Sequence, residues 1–418
     1  MSGEGNKALY SNYYGFYPRN RNVMPLDKVP KISTASRLGW VSFFNDCSSE
    51  VIARAMPLLL TTSLGMTPTF VGVVEGAAEA VSILLRGFSG WLSDKMSSRK
   101  PLVVFGYSLS VVSRILLLAV QLPALFAFAR VFERTGKGLR SAPRDAMIAD
   151  AAVAGMNGQA FGIVRFLDTL GAVTGILVVL VLGIGEGAVT LDVFRQCLWV
   201  AIPFGIVSLA VLLLFVPKIH RATKSKTYIS WHIPKEIRGY LFALGIFSLG
   251  NSSDAFLVLR ANELGFSFRQ ILMLMVVFNL LAAFLAIPIG RLSDRIGRMR
   301  ILAAGWIVYA VVYSCIGALE SVESFTVAVM IYGAFYGFTE GTEKALLADL
   351  LPPEKRGTGF GALQLILGLA ALPASLITGW LMTNYGSRMA FSVSAGFALL
   401  GTAVLTAWWV LKRRERGA

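Results

Sequence analysis

Acidic and basic side chains interrupt otherwise apolar sequence at helical spacing. Asp46, Glu50 and Arg54 recur every four residues, so a helix lines all three along one stripe. Glu75 and Glu79 form a second pair at that spacing, with Arg86 seven residues beyond Glu79 on a similar face. Two carboxylates one turn apart repel, and a low dielectric enlarges the repulsion, so one of them must take a proton or an arginine partner. Arg114, Arg130, Glu133, Arg165 and Asp168 complete the set in the first half of the chain, whereas Asp254 is the one deep charge of the second half. An ionisable group within a membrane span is costly and is read as functional by default. The chemistry these groups offer is proton exchange and recognition of a polar solute.

Covalent and metal chemistry lack their residues. The only histidines, His220 and His232, share one hydrophilic stretch, and Cys47, Cys197 and Cys315 are scattered. Gly136-Lys137-Gly138 does not have the spacing of a phosphate-binding P-loop. No enzyme activity and no cofactor are expected.

The elements that must carry these charges follow from composition. The chain has 418 residues, 55% hydrophobic and 15% charged, with mean hydropathy +0.65. A soluble protein carries about 25% charged residues. The deficit excludes a disordered chain, a nucleic-acid-binding domain and an ordinary cytosolic enzyme. A helix crosses the hydrocarbon core with about 20 mainly apolar residues. Twelve such stretches are legible: 37–64, 68–93, 101–121, 123–143, 157–183 and 192–216, then 239–263, 269–291, 301–319, 325–347, 358–382 and 389–411. Lipid offers the backbone no hydrogen bonds, so these stretches must be helices. The expected organisation is a tail at 1–36 that is not a signal peptide, a six-helix bundle at 37–216, a basic linker at 217–238, a second bundle at 239–411 and a basic tail at 412–418.

Lys and Arg outside the spans cluster on the side that holds both termini. The other side has only Arg195, Arg260, Arg269 and Arg388. By the positive-inside rule both termini are cytoplasmic, in a bacterial inner membrane or a derived intracellular one, and most of the +15 net charge reflects topology. Depth within each span then sharpens the site. Glu50, Glu79, Glu133, Asp168 and Asn251 each fall within about two residues of a span midpoint, roughly 3 Å along a helix, and Asp254 is slightly further. A polar layer at the bilayer midplane is where carriers bind solutes.

The two halves repeat. Gly90-Trp-Leu-Ser-Asp94 after the second span, followed by Arg99, matches Gly290-Arg-Leu-Ser-Asp294 after the eighth, followed by Arg298. Ser48-Ser49-Glu50 matches Ser252-Ser253-Asp254, Ala149-Asp150 matches Ala348-Asp349, and Phe161-Gly162 matches Phe360-Gly361, all in order at a nearly constant offset. In these residues the chain resembles the major facilitator superfamily, whose loop motif Gly-x-x-x-Asp-Arg/Lys-x-Gly-Arg-Arg/Lys is nearly complete in the second copy. The first copy departs from it at Ser97 and Ser98. The resemblance covers roughly 37–411 and implies an all-α fold of twelve transmembrane helices in two pseudo-symmetric six-helix bundles. It further implies alternating access, with the first, fourth, seventh and tenth spans lining a central cavity.

The expected roles are these. Gly90, Asp94, Arg99, Gly290, Asp294 and Arg298 form a conformational latch, with both glycines allowing close helix contact. Glu50, Glu79, Asp254 and Asp46 exchange protons. Arg54, Glu133, Arg165, Asp168 and Asn251 line the substrate cavity. Arg140 and Arg144 close a cytoplasmic gate by pairing with Glu340 and Glu343 of the other half. Gly171 and Gly175 serve helix packing. The function expected is proton-coupled efflux of a polar metabolite or drug-like compound by a monomeric carrier. One alternative is a carrier for a metal cation such as iron, liganded by Asp46, Glu50, Glu75 and Glu79. Another is a membrane scaffold or sensor that does not transport.

Overall fold

A computed structural model describes residues 34–119, 122–151, 157–184, 187–218, 234–351 and 356–417. The tail assigned to 1–36 lies outside them up to residue 33, as does residue 219–233 of the linker. All secondary structure among the described residues is helical. In chain order the helices are α1 (Thr34–Leu58), α2 (Pro68–Lys95), α3 (Lys100–Ala119), α4 (Pro123–Ala151), α5 (Asn157–Val181), α6 (Leu191–Phe215), α7 (Arg238–Gly250), α8 (Ala255–Glu263), α9 (Phe268–Ile296), α10 (Arg298–Ala318), α11 (Val322–Leu350) and α12 (Arg356–Gly417). α12 turns at Gly386, whose φ of 81° only glycine adopts without strain, so it has two legs. Helix thus fills most of each expected stretch among the described residues. Eight helices among the described residues are long and apolar enough to cross a membrane. α1 and α4 fall short of that criterion because charged residues dilute them.

The helix starts on one face are capped by hydroxyls. Thr67 accepts from the Phe70 amide at 3.3 Å ahead of Pro68, Thr190 accepts from Val193 at 3.3 Å, and Ser267 forms a capping box with Gln270. We call this the far face; the face carrying the α2–α3 and α9–α10 turns is the latch face.

α1 packs on α5 and α6, and α4 on α2 and α3; in the second half α7 packs on α12, and α11 on α9 and α10. The two halves meet along α2 against α12 and α5 against α9. At the far face the first seam is closed. Thr69 Oγ1 lies 2.8 Å from Thr383 Oγ1, and a Cβ on Gly72 would run into the Ser375 carbonyl. Within the first half, a Cβ on Gly171 or Gly175 would strike the carbonyls of Phe43 or Cys47. These two glycines therefore seat α5 against α1, the packing role expected of them.

The seventh expected span is broken. Residues 251–254 leave the helix between α7 and α8, with Asn251 at φ −90° and ψ 77°. The carbonyl of Gly250 freed by this break accepts from Tyr309 OH at 2.6 Å. The matching Ser48-Ser49-Glu50 stays within α1. Interrupted helices are tolerated at membrane depth where they line a cavity.

Candidate functional site

The cavity of about 710 Å³ lies between the halves. Its deepest walls are Glu75, Arg130, Ser375, Arg54 and Asp254, and it extends toward the latch face as far as Arg144 and Asp145. α1 contributes Asn45, Asp46 and Arg54; α2 contributes Glu75, Glu79 and Arg86. α4 contributes Arg130, Arg134, Lys137, Arg140, Ser141 and Arg144, and α5 contributes Arg165 and Asp168. The second half supplies Ser248, the broken segment from Asn251 to Asp254, Tyr336 and the small or apolar residues Leu367, Ala371 and Ser375. The cations all come from the first half.

Most of these charges are paired. Arg130 grips Glu75 with two parallel bonds, Nε to Oε1 at 2.9 Å and Nη2 to Oε2 at 3.0 Å, and its Nη1 donates to Glu133 at 2.7 Å. Such forked pairing is the strong form of the arginine–carboxylate interaction. Glu133 also lies 3.8 Å from the fully buried Arg114. Arg54 donates to Glu50 Oε1 from Nε at 3.0 Å and from Nη2 at 2.6 Å. Arg134 reaches Glu79 at 3.2 Å. Both members of the Glu75–Glu79 pair have thus found an arginine on α4.

The second half answers with hydroxyls. Tyr336 OH donates to Asp254 at 3.2 and 3.3 Å, and Tyr332 OH donates at 3.3 Å. Arg54 from the first half lies within electrostatic reach of Asp254. One arginine therefore stands between a carboxylate of its own helix and a carboxylate of the other half.

The expected site residues separate into three groups. Asp46, Arg54, Glu79, Arg165, Asp168, Asn251 and Asp254 line the cavity together. Glu133 sits behind the wall, held between Arg130 and Arg114. Glu50 likewise stands behind Arg54. The arginines of the expected gate have partners in their own half. Arg140 donates to Ser110 and lies over the Tyr107 ring at 4.5 Å, while Arg144 donates to Ser42 at 2.6 Å and to Asp145 at 3.1 and 3.2 Å. Both arginines are satisfied within their own half. The side chain of Glu340 lies outside the described residues; Glu343 is partly buried on α11.

The four acids of the metal reading are not gathered in this conformation. No group of three or more acidic, histidine or cysteine side chains able to hold a metal occurs among the described residues. Glu50, Glu75 and Glu79 are each claimed by a different arginine, so Asp46, Glu50, Glu75 and Glu79 do not converge on a cation.

At the latch face Arg99 ties Asp94, at 2.7 Å, to Asp150. In the second half Arg298 pairs with Asp349 at 2.7 Å. The aspartates at the ends of α4 and α11 were legible as a repeat, and the structure gives both the same job. The side chain of Asp294 lies outside the described residues. The glycines differ from expectation. A Cβ on Gly90 would meet Ala142 at 3.4 Å, an ordinary contact, and one on Gly290 would face open space. Close packing requires neither.

Arg130, Arg134 and Lys137 were missed as cavity residues. Their signal was present: together with Arg140, Ser141 and Arg144 they recur every three or four residues, which puts them on one face of α4. Tyr332 and Tyr336 follow the same rule on α11. Gly136 and Gly138 hold the α4 stripe in place, since a Cβ on either would press 2.6 Å from a backbone oxygen, of Gly106 on α3 or Ser82 on α2.

Two helical bundles facing each other across a charged central cavity define a membrane carrier. Family comparison agrees: the Major Facilitator Superfamily model matches residues 38–248 and 239–418, and the chain belongs to that family. It is 34% identical to an uncharacterized MFS-type transporter of Methanocaldococcus jannaschii over 88% of this chain and 93% of that one. It is 28% identical to the multidrug export protein EmrB of Haemophilus influenzae over 37% of this chain and 30% of that one. The fold is similar to the crystal structure of the nucleoside transporter NupG, with a TM-score of 0.72 at 13% identity, covering 90% of this chain and 99% of that one.

Proposed function

We propose that this chain exports a small polar solute in exchange for protons, by alternating exposure of the central cavity. The observation that carries this reading is Arg54, held by Glu50 and lining the same cavity as Asp254 of the other half. A proton on either carboxylate shifts the arginine toward the other, and that shift changes the attraction between the halves. Such a differential contact is what couples an ion to a conformational equilibrium. The partial likeness to a multidrug export protein supports the outward direction. The far-face closure by Thr69 and Thr383 supports a cavity that is reached from the latch face. We place that face and both termini in the cytoplasm, in a bacterial inner or derived membrane. The bundle boundaries are 37–216 and 239–411, and the carrier acts as a monomer without enzymatic chemistry.

The test is reconstitution into proteoliposomes with a panel of polar metabolites and drug-like compounds, with and without an imposed proton gradient. Glu50→Gln abolishes gradient-driven movement and retains solute exchange, because exchange requires no net proton transfer. Wild-type rates and gradient response in Glu50→Gln would show that the coupling site lies elsewhere. A cysteine placed at Arg413 and labelled only from outside would reverse the orientation.

A further inference from the structure

The carrier reading leaves the chemistry of the solute open, and the uncommitted charge in the cavity narrows it. Arg130 has spent its donors on Glu75 and Glu133. Arg134 holds Glu79 through a single contact, and the Glu79 side chain is 37% exposed, against 6% for Glu75. The side chains of Lys137 and Arg86 make no hydrogen bond and no ion pair among the described residues, and the Arg86 Nε is buried without an acceptor. Arg86, Arg134 and Lys137 all act electrostatically on Glu79. Three cations therefore surround one loosely held carboxylate. Arg86 and Lys137 are half-buried at the cavity wall, and cations gathered there favour a ligand of opposite charge.

The backbone prevents these cations from escaping. Gly136 and Gly138 flank Lys137 and press α4 against α3 and α2, which fixes Lys137 on the cavity side. Opposite them the second half lines the cavity with neutral polar groups, Ser248, Asn251 and Ser375, beside the single carboxylate Asp254. The volume of about 710 Å³ lies within the range of small-molecule sites.

Resting on the carrier reading, we propose that Arg86, Arg134 and Lys137 form the docking subsite for a carboxylate or phosphate group of the transported solute. Glu79 fills part of that subsite when no solute is present. The two guanidinium forks and the ammonium supply directed and point-charge contacts to the oxygens of such a group. The solute is an organic anion whose uncharged polar part lies toward Asn251 and Ser375.

The experiment is a thermal-shift titration of detergent-purified full-length protein with inorganic phosphate, succinate and the neutral control glycerol, at an ionic strength fixed with chloride. Phosphate or succinate raises Tm saturably and glycerol does not. Lys137→Gln and Arg86→Gln each raise the half-saturating concentration about tenfold, equivalent to about 1.4 kcal/mol. Lys137→Arg keeps it within about threefold, since it preserves the charge, and Arg195→Gln on the far face leaves it unchanged. The proposal is overturned if neither anion gives a saturable shift in monodisperse wild-type protein, or if both Gln variants bind as the wild type does. Phosphatidylglycerol in mixed micelles provides the lipid arm, and a shift from it with none from either soluble anion also overturns the proposal. Gradient-driven transport of an uncharged solute by protein that binds no anion would remove the subsite and leave the carrier reading standing.

Discussion

The two halves share a helix plan and differ in what fills it. Around the cavity the first half is a lattice of arginines and carboxylates, from Glu75–Arg130–Glu133 to Arg144–Asp168 at 3.9 Å. The second half packs rings at the same depth. Phe247 stacks on Trp306 at 4.3 Å, Tyr309 on Tyr313 at 4.0 Å, and Tyr332 on Phe335 at 5.7 Å. Among the described lining residues of that side, only Asp254, bound by two tyrosines, brings charge. Ion pairs have alternative partners and can exchange them, whereas interdigitated rings have one good packing. On the proposed carrier reading, recognition and coupling belong to the first half, and the second is a firm wall that presents one carboxylate.

The largest effect that tests this contrast falls on the best-made pair. Glu75→Gln leaves Arg130 buried with half its acceptors lost. Breaking a buried ion pair from one side costs about 3–5 kcal/mol. Thermal unfolding in detergent should register that loss, and the double variant Glu75→Gln/Arg130→Met should recover part of it because no buried charge is stranded. Full stability in the single variant would mean that the lattice is solvated and contributes little.

The latch separates the halves next. Arg99 is 6% exposed and ties two carboxylates, whereas Arg298 is 28% exposed and its partner Asp349 is 56% exposed. Exposed pairs contribute about 0–1 kcal/mol. Arg99→Gln should therefore slow solute exchange several-fold more than Arg298→Gln does. Equal slowing would make the two latches equivalent despite their different burial.

Much of this was legible in the sequence, and the exceptions have physical causes. Spans could be read because lipid forces apolar runs into helices, and Asp150 and Asp349 could be paired because a repeat preserves order. The break before Asp254 could not be read that way. Asn251-Ser252-Ser253 resembles the helical Cys47-Ser48-Ser49, and the bond from Tyr309 to the Gly250 carbonyl is a tertiary contact that the repeat does not show. The contacts of the expected gate arginines were hidden for a related reason. Complementary charge on two helices says which pairs are possible, but Ser110, Tyr107 and Ser42 compete for Arg140 and Arg144 from closer by. The glycines on either side of Lys137 mimic a loop motif, while its register with Arg130 and Arg134 carries the information.

The aromatic wall should respond to volume and not to charge. Phe247 is 2% exposed and touches Trp306, Tyr309 and Phe335. Phe247→Leu removes a stacked ring and should cost about 1–2 kcal/mol by the usual scale for core truncation. Thermal unfolding would measure it. The ratio of transport rates for two competing solutes should stay as in the wild type, since no cation moves; an altered ratio would give the second half a share in recognition.

The smallest effect falls where the halves meet chemically. Tyr336 OH donates to both oxygens of Asp254 and Tyr332 OH donates to one. Tyr336→Phe removes one donor set and leaves the other, so its cost should be about 0.5–1.5 kcal/mol, the net worth of one hydrogen bond. Removing Tyr332 OH as well strands the carboxylate with Arg54 as its nearest charge. The double variant Tyr332→Phe/Tyr336→Phe should then lose more than the sum of the single losses, because the two hydroxyls serve one acceptor. The same non-additivity should appear in gradient-driven transport, with exchange less affected, if Asp254 competes with Glu50 for Arg54. Additive losses would mean that each tyrosine acts through packing alone. Loss of all transport in Tyr336→Phe by itself would place that hydroxyl among the groups that carry the proton, and the second half would no longer be a passive wall.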